Sequence, residues 1–140
     1  MKVVMQAEEL SEYLDEIFPQ ARGDFVIEAV AEHAVRVRMP VAERHLRPGG
    51  TVSGPAMFAL ADVSVYIAVL AMLGREALAV TTSGSFDFMR KPAAMADLIC
   101  DCRLLKLGRV LAVGECMIYS EGVEPPVARV SMTYAIPPAR

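Results

Sequence analysis

Two hydrophobic periods divide the chain into predicted helices and predicted strands. In residues 6–18 apolar side chains recur at the spacing of one helix face, which predicts an amphipathic helix. These side chains are Leu10, Leu14, Ile17 and Phe18. Acidic residues occupy the early turns of this segment, where the helix dipole favours them, and Pro19 ends it.

Alternating and β-branched residues predict strands in the rest of the chain, apart from one long apolar segment. Residues 24–39 predict two strands or one long bent strand. Four further strands are expected after the apolar segment, with glycine or proline at the breaks between them. Their approximate ranges are 78–90, 96–107, 109–120 and 127–136. Consecutive strands of this kind predict an antiparallel sheet and the α+β class.

Residues 55–73, with the sequence PAMFALADVSVYIAVLAML, form the longest apolar segment. Their length and their Ala, Met and Leu content favour a helix, and Gly74 follows where helices commonly end. Such a helix could span a bilayer or lie buried beneath a sheet. Asp62 sits near its middle, where a charge inside a bilayer costs about 2.5–3.5 kcal/mol. The buried helix is therefore the preferred interpretation.

Asp62 is the most informative residue of this helix, because an ionised carboxylate is rarely buried without a partner. One interpretation is structural, with Asp62 bonded to Ser64, Tyr66 or a backbone N–H. The other is chemical, because an acid at an apolar site has the environment of a general base or nucleophile. The residue pattern alone leaves both interpretations open.

The start of the same helix, Ser53-Gly54-Pro55, is a second candidate element. Proline is well tolerated at the first helical position, and Gly54 lets another group approach the backbone closely. The free N–H groups there can stabilise a developing oxyanion. Asp62 lies eight residues beyond Gly54, about 12 Å along the axis. Both can act on one atom only across two subunits, which predicts a homodimer.

The segments LRPGGTVSGPAMFALADVSVYIAVLAMLG and LAVTTSGSFDFMRKPA resemble the PaaI-type acyl-CoA thioesterases of the hotdog superfamily. The resemblance covers roughly residues 24–136. It implies a single hotdog domain over residues 1–140, with an antiparallel sheet of about five to six strands wrapped around one central helix. It also implies a dimer or dimer of dimers and the hydrolysis of an acyl-CoA or aryl-acyl-CoA thioester.

The resemblance also assigns roles to the helix and the turn before it. Asp62 matches the catalytic acid, which would activate water or attack the thioester carbonyl. Gly54 matches the first glycine of a His-Gly-Gly turn, whose N–H polarises that carbonyl. Ser53 replaces the histidine of that turn and Pro55 replaces its second glycine. Arg47 stands near the usual position of an Asn that orients the water or carbonyl.

Polar and basic residues after the helix complete the implied site. Thr81, Thr82 and Ser83 lie on the strand where the family places a polar residue near the water, so Ser83 joins the catalytic candidates. Arg90 and Lys91 are candidates for binding the CoA phosphates.

Loss of the usual His and Asn keeps a non-catalytic acyl-CoA or lipid-binding module open as an alternative. A hydratase or dehydratase is a weaker alternative, because no histidine follows Asp62 on the helix.

Charge and cysteine content exclude other classes of function. The net charge of −3 and the absence of long basic runs argue against a nucleic-acid partner. Three cysteines with no second Cys/His pair nearby predict reduced thiols and no metal site, and no cofactor is implied. The first residues have early acids and no apolar core, which predicts no signal peptide, no membrane association and a cytoplasmic location.

Overall fold

The computed structural model describes residues 2–138 and contains the predicted order of helices and strands. The elements are α1 Ala7–Ile17, β1 Val26–Ala31, β2 Ala34–Met39, α2 Gly54–Leu73, β3 Val80–Phe88, β4 Leu98–Leu107, β5 Leu111–Ser120 and β6 Ala128–Ala135. The α+β class is confirmed, and residues 24–39 form two strands. Short 3-10 turns at Pro19–Ala21 and Glu43–His45 add detail that the sequence pattern does not predict.

All six strands form one antiparallel sheet in the order β1-β2-β4-β5-β6-β3. Helix α2 packs against β4, β2, β5 and β6, so the sheet wraps around it as in a hotdog fold. The chain leaves α2 and enters β3, which is an edge strand paired only with β6 within the described residues.

Alternation along β4, β5 and β6 places every second side chain against α2. The inward residues are Leu98, Cys100, Cys102, Leu104, Ala112, Cys116, Ile118, Val130, Met132 and Tyr134. All three cysteines are free and buried, and Cys100 and Cys102 share the inner face as their spacing predicts. Their burial makes them part of the core.

Helix α2 is long and apolar enough to cross a membrane by length and composition, and 72% of its apolar window is buried inside the protein. Its hydrophobic residues are distributed all around the helix, which is the pattern of a helix covered on most sides. The sheet therefore accounts for the apolar character of this segment.

Close approach between β5 and α2 requires a residue without a side chain at Gly114. A Cβ atom there would lie 2.9 Å from Val65 Cγ2 and 3.1 Å from Val65 Cγ1. Valine in a helix has essentially one rotamer, so Val65 cannot move aside by rotation. Gly114 thus sets the distance between the sheet and the central helix.

The loop before α2 is held by His45, which is buried. Its Nδ1 accepts a hydrogen bond from the Ala42 N–H at 2.8 Å, and its carbonyl accepts one from the Ser53 N–H at 2.8 Å. Burial lowers the pKa of His45, the nearby Arg44 charge adds to this, and Asp24 opposes it. His45 is therefore a loop-stabilising group, and the sequence-based suggestion of a substrate contact gains no support.

Replacing Gly114 by alanine should lower the free energy of unfolding by about 1–3 kcal/mol, the usual cost of overpacking a core. Urea unfolding followed by circular dichroism measures this change. The Gly114→Ala/Val65→Ala double variant should be more stable than the sum of the two single changes, because it removes the clash. A neutral Gly114→Ala, or strict additivity, would contradict the packing argument.

Stability should fall as the pH drops below about 6.5, the ordinary pKa of histidine. The pKa of His45 is depressed in the folded protein, so the unfolded chain binds more protons in acid. In His45→Asn the amide oxygen can accept the same N–H without titrating, so the pH dependence of the urea midpoint should flatten. His33→Asn, in the β1–β2 turn, is the matched control and should retain the wild-type dependence. An unchanged slope in His45→Asn would refute this assignment.

Candidate active site

Asp62 lies on α2 and faces two hydroxyl groups from the neighbouring strands. The Thr81 hydroxyl donates to Asp62 Oδ1, and the Tyr134 hydroxyl lies 2.8 Å from the same oxygen. Tyr134 is also 2.9 Å from the Asp62 carbonyl oxygen. Thr81 and Tyr134 are directly opposite each other in the β3–β6 ladder. Two adjacent strands therefore converge on one carboxylate oxygen.

The structural partners considered for Asp62 from sequence bond elsewhere. Ser64 Oγ donates to the Leu60 carbonyl at 2.7 Å, and the Tyr66 hydroxyl donates to the Ala77 carbonyl at 2.6 Å. Asp62 is therefore held by the strands and not by its neighbours on the helix.

The second carboxylate oxygen, Asp62 Oδ2, is open to the exterior. It accepts no hydrogen bond from any residue in the range 2–138. Within that same range, no fully buried side-chain oxygen or nitrogen lacks a partner. Because Oδ2 has no partner, it cannot be fully buried. One oxygen of Asp62 is thus held in place, while the other can meet a water molecule or a substrate.

A β-bulge separates Thr81 from the two polar residues that follow it. The β3–β6 register shifts between Thr81 and Ser83, so Thr82 is the extra residue. Thr82 Oγ1 donates to the Thr133 carbonyl at 3.3 Å, and Ser83 is exposed. Of the three residues proposed from sequence, only Thr81 bonds to Asp62.

Helix α2 begins with a single free amide at Gly54. Ser53 Oγ accepts the Ala56 N–H at 3.2 Å, the Ser53 carbonyl accepts the Met57 N–H at 3.1 Å, and Pro55 has no N–H. The Gly54 N–H has no acceptor anywhere in residues 2–138. It lies at the positive end of the helix dipole, so it can donate to a carbonyl oxygen that gains negative charge.

Three basic residues meet beside this amide. Arg47, Gly54, Arg90 and Lys91 line one pocket of about 440 Å³. The Arg90 guanidinium donates from Nη1 to the Pro126 carbonyl at 2.8 Å, which fixes its position. Pro55 is exposed and is not among the residues that line this pocket. The sequence-proposed cations therefore gather at the helix start.

A stack of aromatic rings borders the same pocket. Phe58 and Phe86 have ring centroids 4.8 Å apart, and Phe86 and Phe88 follow at 5.8 Å. Phe88 reaches to 3.6 Å from the position of a Cβ on Gly54. Phe58 is 43% exposed and Phe88 is 53% exposed, so these two rings form an apolar surface outside the core.

Sequence reasoning missed Tyr134, the second hydroxyl on Asp62. Burial raises the pKa of Tyr134, a hydrogen bond with Thr81 opposes this, and the nearby Asp62 charge adds to it. The signal was nevertheless present in the alternation of β6, which points Tyr134 inward with Val130 and Met132. An inward tyrosine hydroxyl requires a partner, and the acid on the central helix is available.

Within residues 2–138, no cluster of three or more His, Cys, Asp or Glu side chains could hold a metal ion. The available groups are an exposed carboxylate oxygen, a helix-start amide, three cations and an aromatic surface. Together they can bind an anionic, partly apolar molecule and act on a carbonyl group.

Comparison with known proteins gives a consistent family. The profile described as Thioesterase superfamily matches residues 49–126. A protein provisionally assigned as a thioesterase, from Silicibacter sp. TM1040, shares 63% identity over 99% of this chain and 96% of its own, with a TM-score of 0.93. No curated protein matches significantly.

More distant structures share the architecture. A single-substitution variant of the phenylacetic acid degradation protein PaaI from Thermus thermophilus is 25% identical, with a TM-score of 0.73 over 85% of this chain and 99% of that one. A hypothetical thioesterase with coenzyme A from Streptococcus pneumoniae is 18% identical, with a TM-score of 0.77 over 91% of this chain and 98% of that one. At 18% identity, the last likeness concerns the fold alone. From the family profile, the 63% identical structure and the shared architecture, this chain belongs to the thioesterase superfamily and to its PaaI-like hotdog-fold family.

Proposed function

We propose that the thioester cleaved by this family member is an acyl-CoA or aryl-acyl-CoA, and that Asp62 carries the reaction. The observation that supports this is the open Oδ2 of a carboxylate set in an apolar helix and held through its other oxygen. As a general base, Asp62 would take a proton from water while the water oxygen attacks the carbonyl. As a nucleophile, it would attack the carbonyl itself. Either route breaks the carbon–sulfur bond and releases a carboxylic acid and a thiol.

Gly54 would supply the second half of the chemistry. Its free N–H would donate to the thioester oxygen as negative charge develops there, and the helix dipole would add to this effect. Along one helix the two groups are about 12 Å apart, which is too far for a single carbonyl. We therefore propose that Asp62 of one subunit works with Gly54 of another.

The exposed edge of β3 supports a homodimer. Val80 is 57% exposed and Phe88 is 53% exposed on this nine-residue strand. The strand contains no lysine or proline and only one charged residue, Asp87. Edges of this length and apolar character attract another strand unless they are covered. Pairing of β3 with its copy would cover the edge, next to Thr81 and Asp62.

The basic pocket supports a CoA substrate. The charges of Arg47, Arg90 and Lys91 suit the phosphate groups of CoA, and coenzyme A is present with the structural neighbour from Streptococcus pneumoniae. The neighbouring rings of Phe58, Phe86 and Phe88 offer an apolar surface for the acyl or aryl group. The proposed Ser53 and Ser83 roles gain less support, since Ser53 caps α2 and Ser83 is exposed.

Asp62→Asn should lower kcat by about 10²–10⁴-fold, the usual contribution of a positioned acid–base group. Release of free thiol from a panel of acyl-CoAs measures the effect, and circular dichroism checks the fold. Asp87→Asn is the matched control, because Asp87 is an exposed acid on β3 that pairs with Arg129. Wild-type turnover in Asp62→Asn would reject the site. Binding of CoA without any hydrolysis by the wild type would instead indicate a non-catalytic acyl-CoA-binding module.

Light scattering at micromolar concentration should give a dimer or a larger assembly in place of a 15.2 kDa monomer. Val80→Lys should shift the protein toward the monomer and lower turnover with it, because it places a charge on the β3 edge of both subunits. Leu105→Lys, at an exposed apolar position on β4, should leave the assembly unchanged. A stable, fully active wild-type monomer would eliminate the shared site.

A further inference from the structure

We propose that Tyr134 is a positioning residue of the hydrolytic site, which together with Thr81 holds Asp62 Oδ1 and thereby presents Oδ2 to the water or the thioester. This inference rests on the proposed function, since it assumes that Asp62 is the reacting acid. It assigns a task to a residue on β6, a strand that contributes none of the candidates identified from sequence.

The geometry of Tyr134 suits this task. Its hydroxyl lies 2.8 Å from Asp62 Oδ1 and 2.9 Å from the Asp62 carbonyl oxygen, so the carboxylate is tied to its own helix backbone. Thr81 donates to the same Oδ1 from β3. Two donors from different strands restrict rotation of the carboxylate group. The oxygen without donors, Oδ2, is then fixed in direction as well.

Packing keeps the Tyr134 hydroxyl where it is. The side chain is only 4% exposed, and its ring stacks on Tyr66 with centroids 6.0 Å apart and an interplanar angle of 25°. The Tyr66 hydroxyl donates to the Ala77 carbonyl and not to Asp62. The two tyrosines are therefore stacked on each other, but only one of them bonds to the acid.

Neighbouring groups do not titrate in the acid range where a carboxylate loses its charge. Burial raises the pKa of Tyr134 and raises the pKa of Tyr66 to about 12, so both phenols stay protonated. From β5, Cys116 Sγ lies 3.9 Å from the Ala61 carbonyl, and a thiol is neutral in acid. Thr81 carries no titratable group. The acid limb of the pH–rate profile therefore reports Asp62 itself.

Tyr134→Phe removes one donor from the ionised carboxylate and leaves the ring in place. The value of kcat should fall about tenfold, the factor that corresponds to one hydrogen bond of ordinary strength, with little change in KM. The midpoint of the acid limb of kcat should also move to higher pH, because the charged form loses a hydrogen bond. Tyr66→Phe removes the equivalent oxygen from the stacked partner and should change neither kcat nor the acid limb.

Thr81 provides a second test that does not depend on the folding of Tyr134→Phe. Thr81→Val removes the other donor to Oδ1 and should shift the acid limb in the same direction. Thr81→Ser keeps a hydroxyl and should restore the wild-type midpoint. Rescue by serine separates hydrogen bonding from the packing of the side chain.

The outcomes distinguish this inference from the function on which it rests. If Asp62→Asn is inactive while Tyr134→Phe and Thr81→Val keep the wild-type acid limb, the positioning role is wrong and the proposed function stands. If Tyr66→Phe and Tyr134→Phe lower kcat equally without moving the limb, Tyr134 has only a packing role and the inference is overturned. If Asp62→Asn retains full turnover, both the inference and the assigned site are wrong.

Discussion

Burial of α2 beneath the sheet is the constraint on which the rest of the structure depends. A helix that is apolar on all sides must be covered on most of them, so the sheet curves around it and β5 approaches it closely at Gly114. The polar residues of this helix then need partners inside the protein. Ser64 bonds to its own helix, Tyr66 bonds to the segment after it, and Asp62 bonds to β3 and β6.

The bonds of Asp62 differ from those of its helix neighbours in one respect that matters for chemistry. Ser64 and Tyr66 each donate a single proton to a backbone carbonyl, which leaves them saturated as donors. A carboxylate has two oxygens, and here both donors bond to the same one. The residue is thus satisfied enough to be tolerated within the fold and still has a free oxygen for a reaction.

Sequence reasoning recovered the elements and the acid but not the environment of the acid. Hydrophobic period depends on local geometry, so the bounds of α2 and of the strands agree with prediction to within about two residues. Which hydroxyls reach Asp62 depends on the non-sequential pairing of β3 with β6 and on the bulge at Thr82. Neither is written in the local pattern. Tyr134 was missed for this reason, and Ser83 was preferred to Thr81 as a catalytic group.

The bond between Arg90 and the Pro126 carbonyl has a consequence for how an anion would be received. The bond uses Nη1 and joins the segment after β3 to the segment before β6, so the guanidinium is ordered before any ligand arrives. An incoming anion would therefore immobilise fewer rotatable bonds, and the entropy lost on association would be smaller. Lys91 makes no side-chain bond to residues 2–138 and would have to surrender its rotamer freedom on contact. Two adjacent cations thus differ in how far they are pre-organised.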